Sequence, residues 1–261
     1  MYQDYLINIK SFLCNYELFV NGILVDSQYN DNYITSELPI NQWLKHRENV
    51  LSVKVIPLKN SNVVEPRGRI ELQIINLDEN KNDSRAQRNI ITTLDTLPGQ
   101  ESNQENLPYL ERNKVFIIHD QFELPWLKSP GFSLSQNNTE KIIETYKVIH
   151  QAFRNKDIHG IMEMFRKKNV SCALAFNENE GDFSSYIKNG YEAIWNDAEN
   201  FLWPLNGQQL IPKFFAGNKL AALYNEFSQP VILFYNQNEN ACTFIEIFLM
   251  NDENNEFTII R

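Results

Sequence analysis

Tyr146 and His150 stand four residues apart in IETYKVIHQAF, residues 143–153. On a helix that interval returns to the same face, so a phenol and an imidazole would share one surface. Histidine titrates near neutral pH and is the side chain best suited to general acid–base work there. Asp157 and Trp195 complete the set that a pocket in this part of the chain would use, one as a second base and one as an apolar wall. The same spacing also fits a core histidine on the inner face of a helix with one nitrogen hydrogen-bonded. The residues alone leave both readings open.

A second constellation is acidic. Glu178, Glu180, Asp182, Glu192, Asp197 and Glu199 surround one predicted helix, with Lys188 alone opposing them. Carboxylates projecting from a helix and its entry loop can steer a basic partner and pair with its Lys or Arg side chains. A solvated helix face, with Asp182 favoured by the dipole at the N-terminus, accounts for the same residues. A third group, Tyr29, Tyr33 and Trp43, could form platforms for a sugar, although Trp43 reads more simply as a plug at the sandwich end.

Other chemistry finds no support in the sequence. His46 and His119 have no Cys or His at metal-ligand spacing, so no metal is expected. No phosphate-cradling G-x-x-x-x-G-K-[ST], dinucleotide G-x-G-x-x-G or nucleophile-elbow G-x-S-x-G occurs. The sequence therefore predicts no catalytic residue and no cofactor.

The elements that must position these residues change character near residue 130. Before it, short apolar runs recur with Asn, Gly and Pro between them, as in an antiparallel β-sandwich or jelly roll over 1–130. In VLSVKVIPL, Leu51, Val53 and Val55 face one way while Ser52 and Lys54 face the other. Asn21-Gly22 suits a two-residue hairpin, whose central positions both need positive φ. Residues 95–113 read as a long loop and 124–138 as a linker. Over 131–261 the pattern predicts α+β: a curved antiparallel sheet packed on three helices. The first helix starts at Asn138 or Thr139 and carries Ile142, Tyr146, Ile149, His150 and Phe153 on one face. Asp157 caps the second helix. NVSCALAF (169–176) is expected as a strand, and 181–201 as the third helix, with Tyr186, Ile187, Gly190, Tyr191, Ile194, Trp195 and Ala198 on its inner face. A meander follows, with strands near 208–216, 218–225, 230–236, 241–249 and 256–260.

Composition narrows the classes of partner. The net charge is −9, and both halves share it: 13 Lys and Arg against 17 Asp and Glu in 1–130, and 11 against 16 in 131–261. Such a surface repels phosphate backbones and anionic lipid, which argues against nucleic acid and membrane and favours a basic protein. Cys14, Cys172 and Cys242 are odd in number and far apart, as in a reducing cytoplasm. Asp4 and the polar residues Lys10, Asn15 and Glu17 argue against a signal peptide, and no run of about 18 apolar residues occurs.

The block Phe19-Val20-Asn21-Gly22, then Pro39-Ile40-Asn41-Gln42-Trp43-Leu44 and Glu48-Asn49-Val50-Leu51-Ser52-Val53, resembles the galactose-binding-like β-sandwich found beside glycoside hydrolase domains. Arg47 stands where that family has Gly. The order of elements after residue 130, with AFRNKDIHGIMEMF joining two helices, resembles the nuclear transport factor 2-like, or cystatin-like, α+β cone also used by polyketide cyclases and ketosteroid isomerases. Together they resemble two-domain cytosolic immunity proteins encoded beside bacterial secreted toxins, those of type VI secretion included. The resemblance implies a non-enzymatic protein that binds and occludes a basic toxin domain. A small-molecule or isomerase/cyclase-like site at Tyr146, His150, Asp157 and Trp195 is the alternative, and a carbohydrate-binding module the third.

Overall fold

In the computed structural model of this chain, residues 4–78, 87–96, 107–120, 122–197, 199–239, 241–254 and 256–260 are described. Among them the fold is sheet-rich α+β, with four antiparallel sheets and five α-helices. The chain divides into two compact units, Met1–Glu123 and Leu124–Arg261.

The first unit is built of strands. They are β1 (Asp4–Phe12), β2 (Asn15–Val20), β3 (Ile23–Gln28), β4 (Ile34–Pro39), β5 (Arg47–Ile56), β6 (Arg69–Asp78), β7 (Gln87–Asp95) and β8 (Leu110–Ile118). One sheet has the order β4-β1-β6-β7 and the other β3-β2-β5-β8. Alternation decides which face of each strand is buried: Leu51, Val53 and Val55 of β5 are buried and Ser52 and Lys54 are not, and Ile70, Leu72 and Ile74 do the same in β6. The β2–β3 hairpin turns at Asn21 and Gly22 with φ of 54° and 75°, the left-handed pair that the turn requires. Residues 97–106, within the loop expected at 95–113, lie outside the described residues.

The second unit opens with a short helix α1 (Pro125–Lys128), inside the stretch that reads as linker, followed by α2 (Gln136–Arg154), α3 (Ile158–Met164), α4 (Arg166–Ala175) and α5 (Glu180–Asn196). Five helices thus stand where the sequence suggests three. Ser135, three residues ahead of the expected cap, accepts from Asn138 N and starts α2. NVSCALAF is not a strand. Its residues through Ala175 belong to α4, which buries Lys168, Asn169, Cys172, Ala173 and Ala175 at helical rather than alternating intervals. Short apolar runs carry no period of their own, and here packing against α3 and α5 decides.

The third expected helix also ends early. Asp197 terminates α5, and strand β9 (Asn200–Leu202) begins three residues later. On the face expected to be buried, Tyr186 is 75% exposed. Gly190 is exposed as well, and the packing falls to Ile187, Tyr191, Ile194 and Trp195; Ala198 lies outside the described residues.

The meander is not a single sheet. Strands β10 (Ile211–Phe215), β11 (Leu220–Tyr224), β14 (Leu249–Asn251) and β15 (Phe257–Ile259) form one, in that order. Strands β13 (Ala241–Phe244), β12 (Leu233–Asn236) and β9 form the other. An isolated bridge joins Tyr224, at the end of β11, to Pro230, ahead of β12. The stretch read as one strand over 241–249 breaks because Ile245, Ile247 and Phe248 are all buried, which a strand with one solvated face cannot accommodate.

Candidate functional site

Of the residues predicted to line a cone pocket, Tyr146, His150 and Trp195 are spent on packing and Asp157 on a helix cap. His150 is 8% exposed on α2, and its Nε2 lies 2.9 Å from the carbonyl oxygen of Trp203. An acceptor there requires the proton on Nε2. Burial lowers the His150 pKa below its ordinary value; the carbonyl raises it and Arg154 lowers it again. Tyr146 is buried, and its hydroxyl donates to the Ile247 carbonyl. Desolvation pushes its pKa up. Asp157 is exposed and caps α3 by accepting from Gly160 N at 2.9 Å. Trp195 packs on Phe153 at 6.1 Å between ring centres, and Phe153 meets Tyr191 at 5.3 Å. Phe165 closes the group against Tyr191 at 6.1 Å. These rings pack together in the core of the second unit. None of the four predicted residues lines the pocket described below.

The acidic set is distributed along a helix. α5 has 17 residues, about 25 Å of rise, so its ends present separate surfaces. Glu178, Glu180 and Asp182 lie exposed at the N-terminal end, where Asn179 caps the helix. Glu192 pairs with Lys188 at 3.7 Å. Asp197 and Glu199 lie at the other end, beside β9. Asp197 accepts from Asn236 Nδ2 at 2.9 Å and from Glu199 N at 3.0 Å.

In the first unit, Trp43 is 1% exposed and offers no platform, while Tyr29 donates its hydroxyl to Glu17 at 2.6 Å. Tyr33 is 64% exposed. The polar atoms of the Asn-Gly motif are used within the scaffold. Asn21 Nδ2 donates to the Trp43 carbonyl at 2.7 Å and to Asn49 Oδ1 at 2.8 Å, and its own Oδ1 accepts from Val50 N at 3.1 Å.

An exposed aromatic surface that the predicted elements do not include is the outer face of the β13-β12-β9 sheet. Tyr235 pairs with Phe201 on one side and Cys242 on the other, and Leu233 pairs with Phe244. Trp203 N donates to the Leu233 carbonyl at 2.8 Å, which extends that second row. Cross-strand neighbours point to the same side, so these six residues share one face, while Phe234 points into the core. Phe201 is 36%, Trp203 43% and Phe244 40% exposed. Phe201 stacks on Trp203 at 5.8 Å, and Tyr235 meets both rings edge-on.

At one end of this face the 204–208 loop and the 225–229 turn enclose an open pocket of ≈ 540 Å³. Trp203, Phe227, Leu233, Tyr235 and Cys242 contribute apolar surface to it, and Glu226 is its charged residue. Strand β13 is at the sheet edge and all four of its residues are exposed. Residues 189–260 carry nine Asp and Glu against two lysines, Lys213 and Lys219. The face is therefore aromatic and open along one edge, with Glu226 in its pocket and Asp197 held to β12 through Asn236.

A signal for it exists in the sequence. Phe201 and Trp203 alternate, Leu233-Phe234-Tyr235 is apolar on both faces, and no Lys, Arg or His occurs from 220 to 260. The expected helix over 181–201 hides the first of these. Among the described residues no cluster of His, Cys, Asp and Glu could hold a metal ion, and no helix is long and apolar enough to cross a membrane. No family model matches the chain, and neither the curated proteins nor the solved structures searched contain a match to it.

Proposed function

We propose that this protein is a non-enzymatic binding protein that captures a basic protein partner, in its most specific form an immunity protein that occludes a bacterial secreted toxin. The reading takes the first unit as a galactose-binding-like sandwich that serves as scaffold, and the second as a cone of the nuclear transport factor 2 type. The observation that supports it is the exposed aromatic sheet face. Contiguous apolar surface rimmed by polar groups marks an interaction site, and Trp, Tyr and Phe are the residues that interfaces favour. Glu226 in its pocket and the chain's net charge of −9 select a basic partner and speed its approach.

The test is affinity capture of a partner with the tagged protein from its native cells, in parallel with the double variant Trp203→Ala, Phe244→Ser. Both side chains are substantially exposed, so the variant should keep its fold, checked by circular dichroism and thermal unfolding. One stoichiometric basic partner, bound by the parent and lost by the variant, is the expected result. A partner retained undiminished by the variant would move the interface elsewhere, and an empty parent bait would reject the reading.

A further inference from the structure

The pocket at the end of the aromatic face has a chemistry more specific than apolar docking. Trp203, Phe227 and Tyr235 give it three aromatic rings, with Phe227 72% exposed on the turn that forms one wall. Glu226 stands at its rim, held there by Gln209 N, which donates to its Oε2 at 3.1 Å. No Lys, Arg or His lines it. The nearest basic residues in sequence are engaged elsewhere. Lys213 lies over the Tyr224 ring at 4.6 Å, and Lys219 donates to the Leu127 carbonyl at 2.6 Å.

Aromatic faces carry negative charge density and attract cations, and a carboxylate beside them adds to the attraction. A sugar would also use aromatic rings, but it gains nothing from a carboxylate in preference to a neutral amide, and two of the four lining amides are already committed. Here Asn225 spends its Oδ1 on the backbone N–H groups of Phe227 and Gln229, both at 3.0 Å, and Gln208 donates to the Pro204 carbonyl. Three rings, one carboxylate and no internal cation describe a receptor for a planar or alkylated organic cation.

We propose that this pocket receives an arginine side chain presented by the partner, its guanidinium stacked on Trp203 or Phe227 and paired with Glu226. This rests on the binding-protein reading and names the anchor. Arginine fits better than lysine because its flat, weakly hydrated head stacks on rings while its N–H groups still reach a carboxylate.

The experiment follows the tryptophan indole N–H signals of the ¹⁵N-labelled full chain, with that of Trp203 assigned by its loss in Trp203→Phe. N-acetyl-arginine amide, its neutral isostere N-acetyl-citrulline amide and tetramethylammonium are titrated separately. The arginine derivative should shift the Trp203 signal saturably, the citrulline one at least about tenfold more weakly, and Glu226→Gln should weaken arginine about tenfold while leaving the signals of the buried Trp43 and Trp126 in place. Equal response to citrulline would overturn the cation assignment. Tetramethylammonium binding tighter than arginine would overturn the arginine assignment in favour of a free quaternary ammonium ligand. No response to any probe, with a partner still captured through Trp203 and Phe244, would sink this inference alone. No response together with an empty bait would remove the binding-protein reading as well.

Discussion

His150 ties α2 to the segment that carries Trp203, and its protonation should make stability depend on pH in a defined window. The ring is 8% exposed and Nε2 donates to the Trp203 carbonyl at 2.9 Å. Burial is the largest influence on its pKa and lowers it below 6.5, with the carbonyl opposing and Arg154 assisting. Well above pH 6.5 the residue is neutral in both folded and unfolded chains and contributes no slope. As the pH falls through about 6.5, the unfolded chain takes up a proton that the folded one does not, so folding stability declines until the lowered folded pKa is reached. One proton of difference limits the slope to about 1.4 kcal/mol per pH unit.

Denaturant unfolding measured between about pH 7.5 and pH 5 on the parent and on His150→Gln isolates this contribution, since glutamine keeps an N–H donor near the position of Nε2 but does not titrate. His46, His119 and His159 are exposed and present in both proteins, so their effects cancel in the comparison. The parent should lose stability more steeply than the variant below about pH 6.5, by up to about 1.4 kcal/mol per unit. Parallel curves would refute the argument, because they would mean that the folded state accepts the charge on His150 as readily as water does.

Two further outcomes follow from side chains that the site does not use or only borders. Asn169 is 1% exposed, and both its side-chain polar atoms lack a hydrogen-bond partner among the described residues, so Asn169→Leu should raise stability by about 1 kcal/mol, read as an increase of a few degrees in Tm; a lower Tm would show that the amide is satisfied. Cys242 is exposed whereas Cys14 and Cys172 are buried, so a maleimide should label one thiol in the native protein and three after denaturation. Partial desolvation raises the Cys242 pKa and should slow that reaction relative to a free thiol, and a partner seated on the aromatic face should block it.

The sheets of the first unit were legible because strands with one buried face write a period of two into the chain. Leu51, Val53 and Val55 or Ile70, Leu72 and Ile74 announce a strand without knowledge of their neighbours, and Asn21-Gly22 announces its turn. In the second unit the amphipathic α2 was legible for the same reason at the helical period, since Ile142, Tyr146, Ile149, His150 and Phe153 are all buried. α4 was not. Eight residues with one β-branched side chain, Val170, between polar neighbours fit either period, and only packing chooses. The filled interior was equally invisible. Tyr146, His150 and Trp195 have the types of a site, but whether Phe153, Phe165 and Tyr191 leave room between them depends on where the helices sit.

The aromatic face was missed for a different reason, one that bears on what it is for. β11 and β13 are both short strands of uncharged, sheet-compatible residues, LAALY and ACTF. The first is buried at all five positions and the second exposed at all four. Exposed edge strands usually carry a Lys, a Pro or a bulge that prevents another strand from joining them. β13 has no Lys or Pro, and its outer edge is unpaired among the described residues. Acidic residues stand beyond its two ends, Glu239 before it and Glu246 after it. If two copies paired antiparallel through β13, each Glu239 would approach the end of the partner strand that carries Glu246, and like charges would oppose the pairing. A basic strand would meet the opposite situation, with attraction at both ends and aromatic surface between them. Under the proposed function, an edge that ACTF leaves unguarded against a basic partner is protected from self-association by Glu239 and Glu246, which makes selectivity a matter of charge rather than shape. The protein should accordingly remain monomeric by light scattering at low salt, and any self-association should emerge only as salt screens Glu239 and Glu246; a stable dimer at low ionic strength would contradict this account.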